Sequence, residues 1–105
     1  MVTTVVKNDK SFTFTFTVKD SDAVVVNLTG YSGVKFKMAL PGSNTAKIDG
    51  TCTVTDATNG VCTYTVGATD FDTEGIYEAE IQVTYTSGKV ITAKLDDFHV
   101  IDDLP

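Results

Sequence analysis

Few residues in this chain are of a type that does chemistry, and their spacing limits what each can do. His99 is the one imidazole. It stands between Phe98 and Val100 in an alternating run, so its side chain points opposite to both. General-base or nucleophilic work needs a second group held within hydrogen-bond reach, and no motif places one. His99 therefore reads as an ordinary strand histidine. Asp70, Asp72 and Glu74 alternate along one loop, and hard carboxylate oxygens are what calcium takes. The bidentate Glu that would close a twelve-residue loop is missing, so these acids are expected to structure a turn, with Asp72 or Thr73 as its cap. Asp96-Asp97 and Asp102-Asp103 are paired carboxylates, the residue type of glycoside hydrolysis. The chain has no Trp to stack a sugar, and acids at strand ends also resist wrong strand pairing. The threonine rows Thr13, Thr15, Thr17 and Thr51, Thr53, Thr55 extend over no regular lattice and read as solvent faces of good β propensity.

Cys52 and Cys62 flank the turn from Asp56 to Gly60. Two cysteines and one histidine do not make a zinc set. If Thr55 opposes Val61, then Cys62 opposes Val54 and the two cysteines lie diagonally, far apart for a disulfide. Both are expected to point inward as small apolar groups, with pairing left open. No catalytic, cofactor-binding or metal-ligating residue is assigned.

The elements that must position these groups are all strands. Ser11 to Val18 reads SFTFTFTV, with Phe12, Phe14, Phe16 and Val18 on the inner face. Val34, Phe36, Met38 and Leu40 alternate with Lys35, Lys37 and Ala39. Tyr77, Ala79, Ile81, Val83 and Tyr85 share one face of the longest run; Ile76, Glu78, Glu80, Gln82 and Thr84 share the other. Val2 to Val6 reads as a weak edge strand or arm, and Ala23 to Leu28 as a short apolar strand. Ala46 to Thr55 and Val61 to Val66 form a hairpin whose Asn59-Gly60 pair supplies the positive backbone angle. Gly88 serves the turn from Thr86 to Lys89 that leads into Val90 to Leu95 and Phe98 to Ile101. Gly67 to Glu74 is an acidic connection with room for one helical turn. Short linkers and no helical period over three turns predict an all-β antiparallel sandwich of seven or eight strands. Gly75-Ile76-Tyr77 behind an acidic loop resembles the tyrosine corner of immunoglobulin-type sandwiches, with the Tyr77 hydroxyl bonding back to that loop.

The 105 residues fit one domain, able to bury roughly two-thirds of its unfolded surface. The expected division is an arm or edge strand over 1–9, a sandwich over 10–101 and a tail over 102–105. Every positive charge is a Lys and the net charge is −6, which argues against nucleic acid and anionic membrane surfaces. No apolar run approaches the roughly 18 residues of a membrane span. Met1-Val2-Thr3-Thr4 lacks the basic head and apolar run of a signal peptide, which points to a reducing cytoplasm.

In chain order, Leu28-Thr29-Gly30, the strand Val34 to Met38, Asp56-Ala57-Thr58-Asn59-Gly60, and Gly75-Ile76-Tyr77-Glu78-Ala79-Glu80 form one pattern. It resembles the immunoglobulin-like domain at the N-terminus of the upper-baseplate proteins of lactococcal-type tailed phages, over about residues 10 to 101. Similar modules occur in other phage tail, neck and head appendages. The resemblance implies a non-enzymatic virion structural or adaptor component, assembled in the host cytoplasm, that needs no cofactor. It would dock on other virion proteins, or on itself as a homo-oligomer, with no nucleic acid and no membrane insertion. A capsid decoration or host-surface-binding module is the alternative. Relative to antibody domains, Ala79 stands where a core cysteine would be, and Phe36 substitutes for the core Trp.

Overall fold

The computed structural model describes residues 2–102, which form nine strands and no helix. They are β1 (Val2–Val6), β2 (Thr13–Thr17), β3 (Tyr31–Ala39), β4 (Ile48–Thr51), β5 (Thr53–Asp56), β6 (Val61–Thr65), β7 (Gly75–Tyr85), β8 (Val90–Lys94) and β9 (Asp97–Ile101). The larger sheet has the order β1-β9-β7-β3-β4, with β8 also on β7; the smaller has the order β2-β6-β5. The architecture is an all-β, immunoglobulin-like sandwich.

β7 organises the larger sheet because it is long enough to hold three neighbours. β3 lies along one side, from Tyr31↔Tyr85 to Ala39↔Glu78. The other side is shared. β8 pairs from Glu80↔Lys94 to Thr84↔Val90, and β9 pairs from Gly75↔Val100 to Tyr77↔Phe98. The break at Leu95-Asp96 separates the two registers. β1 then adds to β9 in parallel, Val2↔Asp97 to Val6↔Ile101, the one departure from the antiparallel pattern. A parallel neighbour has to come from far along the chain, and here most of the sequence separates the two.

The core follows the period of two, except that Phe12, expected on the inner face, stands before β2 and is 36% exposed. Phe36 is fully buried and its ring centroid lies 5.3 Å from Phe16, 5.0 Å from Tyr64 and 5.5 Å from Phe98. Phe14 meets Phe98 edge-on at 5.5 Å. Edge-to-face and offset rings at such spacings add to the area they bury. Phe36 thus sits at the centre of an aromatic cluster drawn from both sheets.

Three strand assignments differ from the sequence reading. Ala23 to Leu28 is not a strand; only Lys19↔Val25 forms a bridge, and Val24 and Val25 are exposed. Asp20 Oδ1 accepts the amides of Asp22 and Val24 at 2.9 and 3.0 Å, Asn27 Oδ1 accepts Thr29 at 2.9 Å, and Ala23 has φ 62°. These local turns capture backbone that a ladder would use. Ala46 to Thr55 is divided at Cys52. Its amide still donates to Val34 O at 2.8 Å in the larger sheet, while Thr53 already pairs with Thr63 in the smaller. Leu40 does not join the inner row: β3 ends at Ala39 and Leu40 is 47% exposed. Gly67 to Glu74 makes turns, not a helical turn.

Candidate functional site

The corner before β7 is held by side chains the sequence had marked. Tyr77 is 1% exposed, and its hydroxyl donates to Thr73 O at 2.7 Å. Gly75 has φ 153°, and a Cβ there would lie 3.3 Å from Leu40 Cδ2 and 3.4 Å from the Tyr77 ring. The sharp entry into β7 therefore favours glycine for its backbone angle, and a larger residue would also press on Leu40 and the Tyr77 ring. Gly60 is the other such place: φ is 69°, and a Cβ would meet Val26 O at 2.6 Å. Asn59 completes that turn through its side-chain amide, which donates to Asp56 Oδ2 at 2.9 Å. Gly88, at φ 92°, closes the β7–β8 hairpin with its amide on Tyr85 O at 2.9 Å.

The acidic loop does not converge on a point. Asp70 Oδ2 accepts the Tyr64 hydroxyl and, at 2.8 Å, the Gly67 amide. Asp72 meets Lys47 Nζ at 2.7 Å, which holds its carboxyl below the ordinary value. Glu74 turns to Lys7 at 3.9 Å. Lys47 also donates to Thr69 O at 2.8 Å, tying the β3–β4 loop to this corner. Burial, then the Asp70 hydrogen bond, pushes the Tyr64 phenol well above its usual value. Burial likewise raises Tyr77. Among the described residues no group of three or more His, Cys, Asp or Glu is placed to hold a metal.

The remaining candidates are scattered. His99 lies in β9 between Thr4 and Ile76 and is half-buried. Asp96 and Asp97 are exposed at the β8–β9 break, and Asp102 pairs with Lys7 at 3.2 Å. Asp103 lies outside the described residues. Cys52 and Cys62 are free and buried. Val54 stands opposite Cys62, and a bulge sets Asp56 against Val61. The Cys52 thiol is pushed up by its hydrogen bond to Cys62 and by burial. Thr13, Thr15 and Thr17 face solvent on β2.

Sequence reasoning missed the concave surface beside the β3–β4 loop. A cleft of about 300 Å³ lies on the outer face of the larger sheet beneath the β3–β4 loop, lined by Lys37, Leu40, Asn44, Glu78, Glu80 and Lys94. A second of about 190 Å³, lined by Leu40, Ala46, Lys47 and Tyr77, adjoins it. Exposed Leu40 walls both, and its escape from the β3 alternation gave no sequence signal. In the lining Lys94 meets Glu80 at 3.6 Å, and the lining residues named form no nucleophile–base pair. What the surface does offer is strand edge: β1, β8 and β4 in one sheet, β2 and β5 in the other. Edges with unpaired amides and carbonyls are surfaces for adding a strand.

The arrangement defines a class before it defines a family: an immunoglobulin-like sandwich with open edges and a tyrosine-pinned corner. The chain matches the model of the BppU N-terminal domain over residues 2–104. It belongs to that family, the N-terminal domain of the phage baseplate upper protein. Among curated proteins nothing matches. Of solved structures, the crystal structure of CopC from Methylosinus trichosporium OB3b is similar, at 12% identity and TM-score 0.56, over 98% of this chain and 86% of that one. At that identity the likeness concerns the fold alone. The family is one of phage baseplate structural proteins.

Proposed function

We propose that this chain is a non-enzymatic structural or adaptor component of a phage virion, in the tail, baseplate or neck, that works by docking protein to protein. The match to the baseplate family across nearly the whole chain carries this reading. The surface supports it. The acids that can do chemistry are engaged in turns and ion pairs, as Asp70 and Asp72 are. The open edges of both sheets supply backbone for strand addition. Residues 10–101 act as the rigid body, with residues 2–9 as its edge element; Met1 and most of the expected tail over 102–105 lie outside the described residues. Its partners are other virion proteins and further copies of itself, without nucleic acid, membrane insertion or cofactor. It assembles in the host cytoplasm and resides in the particle.

Mass spectrometry of purified virions, with peptides of this chain counted against known particle components, tests the proposal. A copy number matching a tail or baseplate ring is the expected result. Absence from purified particles would overturn it, and a capsid-like copy number would move the protein to the head as a decoration.

A further inference from the structure

The outer face of the larger sheet carries a row of alternating charge across four strands. In register it reads Asp49 on β4, Lys37 on β3, Glu80 on β7 and Lys94 on β8. The next row reads Thr51, Lys35, Gln82 and Thr92. Each row ends at an open edge. Among the described residues nothing pairs with the outer side of β8, because β1 runs along β9 only, or with the outer side of β4. The two end charges are exposed, 71% for the Lys94 side chain and 45% for Asp49. Asp49 makes a diagonal contact with Lys35 at 3.5 Å.

Backbone parity at the two edges agrees. The Tyr85 amide bonds Lys89 O at 2.8 Å and the Leu95 amide bonds Ala79 O at 3.0 Å. Bonding alternates along an antiparallel strand, so Ile91 and Ala93 face β7, while Val90, Thr92 and Lys94 turn their amides and carbonyls outward. On β4 the Cys52 amide bonds Val34 O at 2.8 Å. Gly50 therefore faces β3, and Asp49 and Thr51 turn outward. β4 also runs antiparallel to β8, since β4, β3, β7 and β8 alternate in direction.

We propose that a second copy of this chain docks its β4 edge on the β8 edge of the first, continuing the larger sheet from copy to copy. One register satisfies every constraint at once: Lys94 opposite Asp49 of the next copy, and Thr92 opposite its Thr51. Both are hydrogen-bonding pairs, both keep their side chains on the outer face, and the charge alternation runs on unbroken. Opposite charges and Thr–Thr pairs are favourable cross-strand neighbours. β1, β2 and β5 are also edges, but VTTVV and TFTFT are uncharged and specify no occupant, and the one charge of β5, Asp56, is engaged by Asn59 in its own turn. The contact is heterologous, so it makes a ring where the rotation between copies closes. That ring rests on the virion reading. The contact itself is a property of the isolated chain. Its loss leaves the virion count untouched, and the virion count leaves it untouched.

The test is a dilution series of the full chain at low salt, followed by amide chemical shifts from about 1 mM to about 20 μM. Shifts of Val90, Thr92 and Lys94 are expected to move together with those of Asp49 and Thr51. Lys94→Glu and Asp49→Lys should each weaken association roughly fivefold. An equimolar mixture of the two should recover it, because each variant's β8 then meets an opposite charge on the other's β4. Thr92→Pro removes one outward amide without touching a bond to β7; it should abolish association while leaving the fold intact. Concentration-independent shifts up to about 1 mM would overturn the proposal, as would a mixture no tighter than its components or movement at β1 and β2 in place of β8 and β4.

Discussion

Replacing Tyr77 with Phe isolates one bond at the corner of the fold. The ring is 1% exposed and stays in place, so little packing changes. What goes is the hydroxyl that donates to Thr73 O at 2.7 Å. A neutral intramolecular hydrogen bond contributes about 1 kcal/mol net. Thr73 itself is exposed, so water can satisfy the released carbonyl and no full desolvation penalty is added. For a domain of this size about 1 kcal/mol lowers Tm by about 5 °C. Urea unfolding should show a lower midpoint at unchanged slope. Amide exchange should rise first in the loop from Gly67 to Glu74, which the bond anchors. A stability change within about 0.3 kcal/mol, well below an average hydrogen bond, would refute the argument that this hydroxyl pins the loop.

Phe36→Ala should cost about 3–5 kcal/mol, as for other fully buried aromatics, read from urea midpoints; a cost near 1 kcal/mol would mean the cluster around Phe36 collapses onto the gap. Tyr64→Phe should change the alkaline limb. The phenol's folded value is raised, so its contribution is fully present below its ordinary value near pH 10 and is lost as pH rises from there through the higher folded value. Wild type should therefore lose more stability than the variant above about pH 10, and parallel curves would contradict this. Cys52 and Cys62 should resist a thiol reagent in the native protein and react once urea unfolds it, because both are buried.

What was legible in the sequence was the alternation. Phe36, Met38, Tyr77, Ala79, Ile81 and Val83 are all buried, as a period of two requires. The Asn59-Gly60 turn was legible because glycine takes its backbone angle, φ 69°, without steric cost. Ala23 to Leu28 misled because its apolar composition hid Asp20 and Asn27, whose side chains take the amides a strand would need. The division at Cys52 left no mark, since the same alternation serves a strand that stays in one sheet and a strand that crosses to the other. Gly50 carried no signal of its own within the run from Ala46 to Thr55. The Tyr64 ring lies directly over it, where a Cβ would stand, and only the folded chain brings them together. The charge row was equally hidden. Asp49, Lys37, Glu80 and Lys94 come from four strands, and their order across the sheet is a product of topology.

Cryo-electron microscopy of intact particles tests the central claim most directly. The account predicts this nine-stranded sandwich in symmetric copies at the baseplate or elsewhere along the tail, engaged through its strand edges. Density that accepts the fold only on the outside of the capsid, or nowhere in the particle, would contradict it.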